Sequence, residues 1–370
     1  MTDANFFDRQ NNLTAAKILI YKEYLKGYLP KVLMQYEACF ISDLFCGTGK
    51  NGDKQGSPLI LLDTIKYILT NEIIKKSNPK VSILFNDSDK NNIQNLREEL
   101  EGFLHNSINI LPTENKKFEE IIPELIKTIQ NHDIRRVPKF FFLDPYTYPN
   151  IRIDDLKKLM NLEHTEVLLF LPIFHSYRFS SDIKMKKDHK TRIFVEEFTK
   201  KGIADYENID DFLQSIKEKL QEKMGLDFVR PVLLDGGSSK NALFLLTKSQ
   251  IGMLEMNKIS LKVSEDGKGI NTKCFGQKSL FGTQGTSKFE IFLNNFIKLL
   301  KQKEEMTNKE IVKFTIMEEF IPKYAKEILK DLYSKNKILV FDIFGNEIKK
   351  QTQWNIAEKI TKDIIFRWKE

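Results

Sequence analysis

The chain has 370 residues, 41% of them hydrophobic and 29% charged, with 58 basic against 51 acidic side chains and a net charge of +7. This suits a soluble α/β domain with a second, smaller module, and the mild positive charge permits a nucleic-acid partner without requiring one. Three cysteines (Cys39, Cys46, Cys274) and five scattered histidines exclude a disulfide scaffold and a zinc pattern, and no apolar run reaches the roughly 18–20 residues that span a bilayer.

The first residues have neither a basic n-region nor an apolar h-region, so no secretory signal is expected and the expected location is cytoplasmic, with no membrane partner and no metal. Residues 15–36 carry apolar side chains at helical spacing (Ile18, Tyr21, Tyr24, Leu25, Tyr28, Leu29) and predict one or two helices. A short apolar run, 39–45, enters the glycine-rich stretch Gly47-Thr48-Gly49-Lys50-Asn51-Gly52. Ser57 as N-cap and Pro58 at the first helical position predict a helix to about 71. Strands follow at 81–85, 107–111, 139–143 and 166–171, separated by helices at about 90–104, 118–131 and 153–161. The strands are continuously apolar, and strand and helix alternate, which predicts a parallel sheet covered on both faces.

Residues 178–223 turn helical and charged and predict a helical insertion. Strands at 229–234 and 242–247, separated by Gly236-Gly237-Ser238-Ser239, suit an antiparallel edge. The expected domains are therefore 1–262, a linker rich in Gly, Ser, Thr and Lys at 263–288, and a module at 289–370. In that module Thr307 and Glu310 form a capping-box signal, a helix is expected at 322–333, and 338–343 with 348–350 flank a hairpin-like turn at Phe344-Gly345-Asn346-Glu347. Helices followed by a hairpin predict a winged-helix-like fold, a module that serves nucleic acid or protein, and here a small basic excess tilts it toward nucleic acid.

Three strand ends carry the chemistry. Asp43 stands at the end of the first strand, and Gly47 and Gly49 would let backbone amides approach a ligand closely. A nicotinamide or flavin site needs G-x-G-x-x-G leading directly into a helix, whereas here a polar loop runs to Gln55 first. Cys46 reads as a small packing residue in preference to a nucleophile. The second strand ends Asn86-Asp87-Ser88-Asp89, where Asp87 is the first choice and Asp89 the second for accepting two ribose hydroxyls, and Asp89 is the better helix cap. After the third strand, Lys117 stands where a carboxylate is expected, and Glu114 or Asn115 could substitute. The fourth ends Asp144-Pro145-Tyr146, an acidic group and an aromatic platform.

Asp43-x-Phe45-x-Gly47-x-Gly49 resembles the first motif of class I S-adenosylmethionine-dependent methyltransferases, and Asp144-Pro145-Tyr146 is similar to the Asp-Pro-Pro-Tyr motif of adenine amino-group methyltransferases, with the second proline missing. That resemblance implies a Rossmann-like class I sheet and S-adenosyl-L-methionine held by Asp43, Phe45, Gly47, Gly49, Asp87 and Asn115. It further implies that Asp144, Pro145 and Tyr146 orient and stack on a nucleic-acid base amine. With Lys17, Tyr24-Leu25, Gly56-Ser57-Pro58-Leu59 and Gly276-Gln277-Lys278-Ser279-Leu280-Phe281, most of the chain resembles the three-Cys-motif partner (TcmP-like) family. Cys46 and Tyr146 depart from its usual Ala and Phe. The resemblance implies a partner protein carrying a three-cysteine motif. It also leaves an alternative role, a non-catalytic binding or sensing subunit in a mobile-element or phage-defence system.

Overall fold

The computed structural model describes residues 12–131, 136–145, 151–236, 239–264, 269–271 and 288–369. The chain divides into two compact units, Met1–Gly252 with Ile270–Phe275, and Met253–Gly269 with Gly276–Glu370. Tyr146, the run Gly276 to Phe281 and most of the expected linker lie outside the described residues.

The first unit opens with one helix, α1 (Asn12–Tyr36), and the central strand β1 (Ala38–Asp43). A small hairpin, β2 (Lys50–Asn51) and β3 (Lys54–Gln55), precedes helices α2 (Ser57–Leu69) and α3 (Glu72–Lys76). Then strand and helix alternate through β4 (Lys80–Phe85), α4 (Lys90–Leu100), β5 (Ile108–Ile110), α5 (Phe118–Asn131), β6 (Lys139–Leu143), α6 (Ile153–Met160) and β7 (Thr165–Leu171). Helices α7 (Phe174–Arg178), α8 (Lys190–Phe198) and α9 (Ile209–Met224) lead to β8 (Phe228–Asp235) and β9 (Lys240–Thr247). Helix α10 (Gln250–Val263), most of which belongs to the second unit, and the short strand β10 (Gly269–Asn271) follow in the chain.

Eight strands form one sheet in the order β10-β8-β9-β7-β6-β1-β4-β5. Strands β5, β4, β1, β6 and β7 run parallel, and β9 lies antiparallel to both β7 and β8. The expected antiparallel edge is thus present. Strand β10 extends it, so residues 269–271 belong to the sheet and not to a linker.

Alternation along β6 sorts its aromatics to two faces. Phe140 and Phe142 meet Tyr21, Tyr24 and Tyr28 of α1, with Tyr21 stacked on Phe142 at 4.3 Å between ring centroids. Phe141 and Leu143 join the opposite core with α5, α6 and α9. Helix α9, expected as part of an insertion, packs against β8 and α6 and buries Phe212, Leu213, Ile216 and Leu220 in that core. It is a sheet-covering helix, because its apolar stripe faces the sheet.

The second unit holds α11 (Lys288–Lys303), β11 (Glu305–Thr307), α12 (Asn308–Met317), α13 (Pro322–Ser334), β12 (Ile338–Asp342) and β13 (Ile364–Trp368). Its sheet has the order β11-β13-β12, antiparallel throughout. The Thr307–Glu310 capping box forms as expected. Asp342 and Asn346 close the expected turn, and the chain returns briefly, with an antiparallel bridge between Phe341 and Glu347 and the Ile348 amide donating to the Val340 carbonyl at 2.7 Å; the longer partner of β12 is β13, about twenty residues further on. Only Ile348 of the expected arm is apolar, whereas β13 buries Ile364 and Phe366.

Candidate cofactor and acceptor site

From β1 the chain proceeds to β4 and β5 on one side of the sheet, and to β6 and β7 on the other. The loops leaving β1 and β6 therefore diverge, and in open α/β sheets such a switch point is where ligands bind, beyond the carboxyl ends of the strands. Asp43 ends β1 in register with Phe142, and Asp144 directly follows β6. The two carboxylates flank the switch point.

The glycine turn is held from several sides. Gly47 and Gly49 take φ of +61° and +81°, and a Cβ on Gly49 would lie 2.8 Å from Leu96 Cδ1. The Gly56 amide donates to the Gly49 carbonyl at 2.7 Å, closing the β2–β3 hairpin into a loop. Gly56, rather than the expected Ser57, is the N-cap residue of α2. Ser57 instead turns back and donates its hydroxyl to Asp43 Oδ2 at 2.6 Å, while the Phe45 amide donates to Asp43 Oδ1 at 3.3 Å. The hairpin separates the turn from the helix, so no helix N-terminus follows the glycines directly, and pyrophosphate seating of the dinucleotide kind is absent among these residues.

Asp43 is fully buried, and burial pushes its carboxyl up to about 7. The Ser57 hydrogen bond opposes that rise, the Asp144 charge adds to it, and the Phe45 amide and Lys17 oppose it. Phe45 stacks on Phe118 at 5.3 Å. Cys46 is buried, and its thiol is pushed well up by burial and then by the charges of Asp43 and Asp87, which leaves it unsuited to nucleophilic work.

Asp87 draws together several predicted residues. Its Oδ2 accepts the Gly47 amide at 2.9 Å, and its Oδ1 accepts the Asp89 amide at 2.8 Å and the Asn92 side chain at 3.2 Å. Asn115 donates its amide to the Asp87 carbonyl at 2.8 Å. Asp89 caps α4 through the Asn91 amide, as expected. Gly47, Asp87 and Asn115 thus form one connected group. Its organiser, which sequence reasoning missed, is Asn86: its side chain donates to the Leu44 and Lys116 carbonyls and accepts the Lys116 amide. The lysine expected to weaken the adenine side, Lys117, is exposed, and its backbone amide donates to Glu120 at the start of α5.

Asp144 has a partner that the strand-end motif did not suggest. Lys17 of α1 donates its ammonium to Asp144 Oδ2 and lies 4.6 Å from the centre of the Phe170 ring. Residues 17, 21, 24 and 28 share one helix face, so the tyrosine stack on β6 carries Lys17 to the end of that same strand. The signal was the helical spacing of a lysine with three tyrosines. Pro145 is buried behind Asp144. Among the described residues no group of His, Cys, Asp and Glu is placed to hold a metal ion, and no helix is long and apolar enough to cross a membrane.

No family model matches the sequence, and no curated protein does. Solved structures do resemble it. A Listeria monocytogenes chain assigned to the class I S-adenosylmethionine-dependent methyltransferases is 11% identical, with 67% of this chain and 63% of that one covered at a TM-score of 0.28. A modification subunit assigned to a type I restriction enzyme of Vibrio vulnificus is 12% identical, with 60% and 44% covered at a TM-score of 0.30. A dimethyladenosine transferase of Plasmodium falciparum is 11% identical, with 84% and 96% covered at a TM-score of 0.25. The chain spans less than two thirds of the length of the first two. Likeness at this level transfers no residue roles.

Proposed function

We propose that this protein is an S-adenosylmethionine-dependent methyltransferase that acts on a nucleic-acid base amine. The observation that carries the reading is the placement of Asp43 and Asp144 on either side of the switch point, with the glycine turn leaving β1 and Asp87 ending the next strand. The donor set suits a cofactor with a vicinal diol and an ammonium group. Asp87 uses three of its roughly four acceptor positions, which leaves one for a hydroxyl, and Asp43 stands beside the turn as an acidic group. Gly47 and Gly49 keep side chains off the turn, and Asn115, the residue proposed for the adenine, sits on the Asp87 carbonyl.

When bound, the cofactor supplies an electrophilic methyl group. The chain's own contribution is positioning: Asp144 accepts a hydrogen bond from the acceptor amine, and Tyr146 provides the ring on which the base stacks. In-line placement of the acceptor needs no strong base.

Support for a nucleic-acid partner also comes from the second unit. Its order of helix, strand, two helices and two strands, with the first strand beside the last, is compatible with the expected winged-helix-like module. A three-Cys-motif protein remains the proposed protein partner, on the resemblance of the chain alone.

Calorimetry with S-adenosylmethionine and S-adenosylhomocysteine tests the cofactor, and labelled-methyl transfer to total RNA and DNA tests the reaction. Binding to both cofactor forms, with label incorporation lost in Asp144→Ala, is the expected result. Absence of binding at millimolar cofactor would sink the enzyme reading in favour of a non-catalytic binding subunit.

A further inference from the structure

Residues 178–192, which open the charged stretch after β7, carry six basic and two acidic side chains, a net charge of +4 against +7 for the whole chain. Arg178, Lys184, Lys186, Lys187 and Lys190 are exposed, and the four lysines pair with no carboxylate among the described residues. Of the two acids, Asp182 accepts the Lys184 backbone amide at 3.0 Å, which leaves Asp188 as the other negative group in the run.

A charge run is ordinarily a loose, solvated surface. Here its backbone is tied. The amides of Asp182, Met185 and His189 donate to the carbonyls of Phe179, Asp182 and Lys186. Arg192 of α8 donates to the Met185 carbonyl at 2.7 Å and to the Ile183 carbonyl at 3.4 Å, and is itself held by Glu196 at 2.8 Å. The lysines therefore project from a folded ledge, and a ligand bound there pays less to order it.

The ledge stands at the end of the sheet that carries Asp144. Strands β6 and β7 are parallel neighbours, so Asp144 and the segment after Leu171 leave the sheet at the same end. Lys17, bonded to Asp144, also lies 4.6 Å from the ring centre of Phe170, next to last in β7. From the other side, Glu197 of α8 accepts the Arg152 guanidinium and the Ile153 amide, each at 2.8 Å, where the chain enters α6 after Asp144.

We propose that residues 178–190 hold the sugar–phosphate backbone of a nucleic acid whose base reaches Asp144, with Lys184, Lys186, Lys187 and Lys190 on its phosphates. The proposal deepens the nucleic-acid part of the functional reading, on which it rests, and needs nothing of methyl transfer. Ile183 and Phe179 are exposed among these cations, at 76% and 42%. Two apolar residues outside any long helix lack the continuous apolar face by which a segment lies in a membrane interface.

The test is fluorescence anisotropy of the full chain with labelled single-stranded and duplex oligonucleotides of about twenty nucleotides, titrated across salt. One variant combines Lys184→Gln, Lys186→Gln, Lys187→Gln and Lys190→Gln. A control of equal charge combines Lys76→Gln, Lys80→Gln, Lys127→Gln and Lys157→Gln, exposed lysines on other elements. The ledge variant should bind at least about tenfold more weakly, its salt slope flattened by about 0.7 per lost phosphate contact on a single strand or about 0.9 on a duplex. The control should stay within about twofold of the wild type at about 0.1 M salt, where charges beyond roughly 10 Å are screened. Lys187→Gln alone, expected to lower the slope by about one contact, keeps the test readable if the fourfold change lowers the melting temperature. Equal weakening of ledge and control variants would overturn the proposal, because binding would then follow overall charge. Wild-type affinity in the ledge variant would overturn it while leaving the nucleic-acid reading in place. No binding by the wild-type chain at low salt would remove both. Tighter binding to vesicles of phosphatidylserine and phosphatidylcholine than to either oligonucleotide, lost in the ledge variant, would assign the ledge to a membrane surface instead.

Discussion

Lys17 and Asp144, 127 residues apart in the chain, form an ion pair at the carboxyl end of β6 with 13% and 19% of their side chains exposed. The pair ties the helix that precedes the sheet to the carboxylate proposed to receive the acceptor. It also occupies Asp144 Oδ2.

Removing one partner from a mostly buried pair leaves the other charge desolvated and alone. Lys17→Met should therefore destabilise the protein by about 1–3 kcal/mol in urea unfolding. Lys17→Met combined with Asp144→Leu should recover most of that loss, because no charge is then stranded. Lys17→Arg should retain methyl transfer better than Lys17→Met. Equal stability of Lys17→Met and wild type would mean the pair contributes nothing to the fold.

A second buried carboxylate gives a pH prediction. Glu166 is fully buried at the start of β7 and accepts the Tyr24 hydroxyl and, at 2.8 Å, the Thr247 hydroxyl. Burial pushes its carboxyl up to about 7, with those two hydrogen bonds opposing. Because the folded value lies above the ordinary one of about 4.3, the folded state binds the extra proton. The stabilisation is complete below about pH 4 and is lost as pH rises through about 7. Glu166→Gln should flatten that part of the stability curve by up to about 1.4 kcal/mol per pH unit between pH 5 and 7. Urea midpoints measured across that window check it; parallel curves would assign the titration elsewhere.

Gly49 is the turn position where a side chain is least tolerated. Its φ of +81° is strained for any L-residue, and a Cβ would meet Leu96 at 2.8 Å. Gly49→Ala should cost about 1–2 kcal/mol in stability from the backbone alone. It should also weaken cofactor binding, because relieving the φ strain shifts the backbone of the turn whose Gly49 carbonyl the Gly56 amide holds. Calorimetry and thermal melts on one preparation measure both effects.

The sheet was legible because continuous apolar strands such as 139–143 and 166–171 have one good reading, burial on both faces. Asp43, Asp87 and Asp144 were legible as strand ends for the same reason. Less visible was what each side chain would meet. Lys17 showed its helix face, but periodicity does not name the strand that face covers. Asn86 looked like one polar residue before two acids, and only the approach of residues 114–116 to β4 gives its amide a use. The turn at 344–347 and its short return are legible, since Asp342 can serve amides at Phe344 and Asn346, whereas the longer pairing of β12 with β13 joins segments too far apart in the chain for a local turn signal to show.

Asp87 offers the sharpest separation of structure from binding. Its carboxylate shapes the turn through the Gly47 amide at 2.9 Å and through the amides at Asp89 and Asn92, and the proposed function adds a ribose diol to those partners. Asp87→Asn keeps the size and one carbonyl oxygen, so a single acceptor can still serve Gly47 or Asp89, but not both together with a hydroxyl. One lost hydrogen bond to a charged acceptor corresponds to about 1.5–3 kcal/mol. S-adenosylmethionine affinity should accordingly fall by at least about tenfold, since 1.4 kcal/mol is one decade. If the ribose contact is real, Asp87→Asn should weaken S-adenosylmethionine and S-adenosylhomocysteine alike, because both carry the same diol, while adenine binding changes little. A loss confined to stability, with cofactor affinity intact, would make Asp87 a turn residue only and move the ribose to another acceptor.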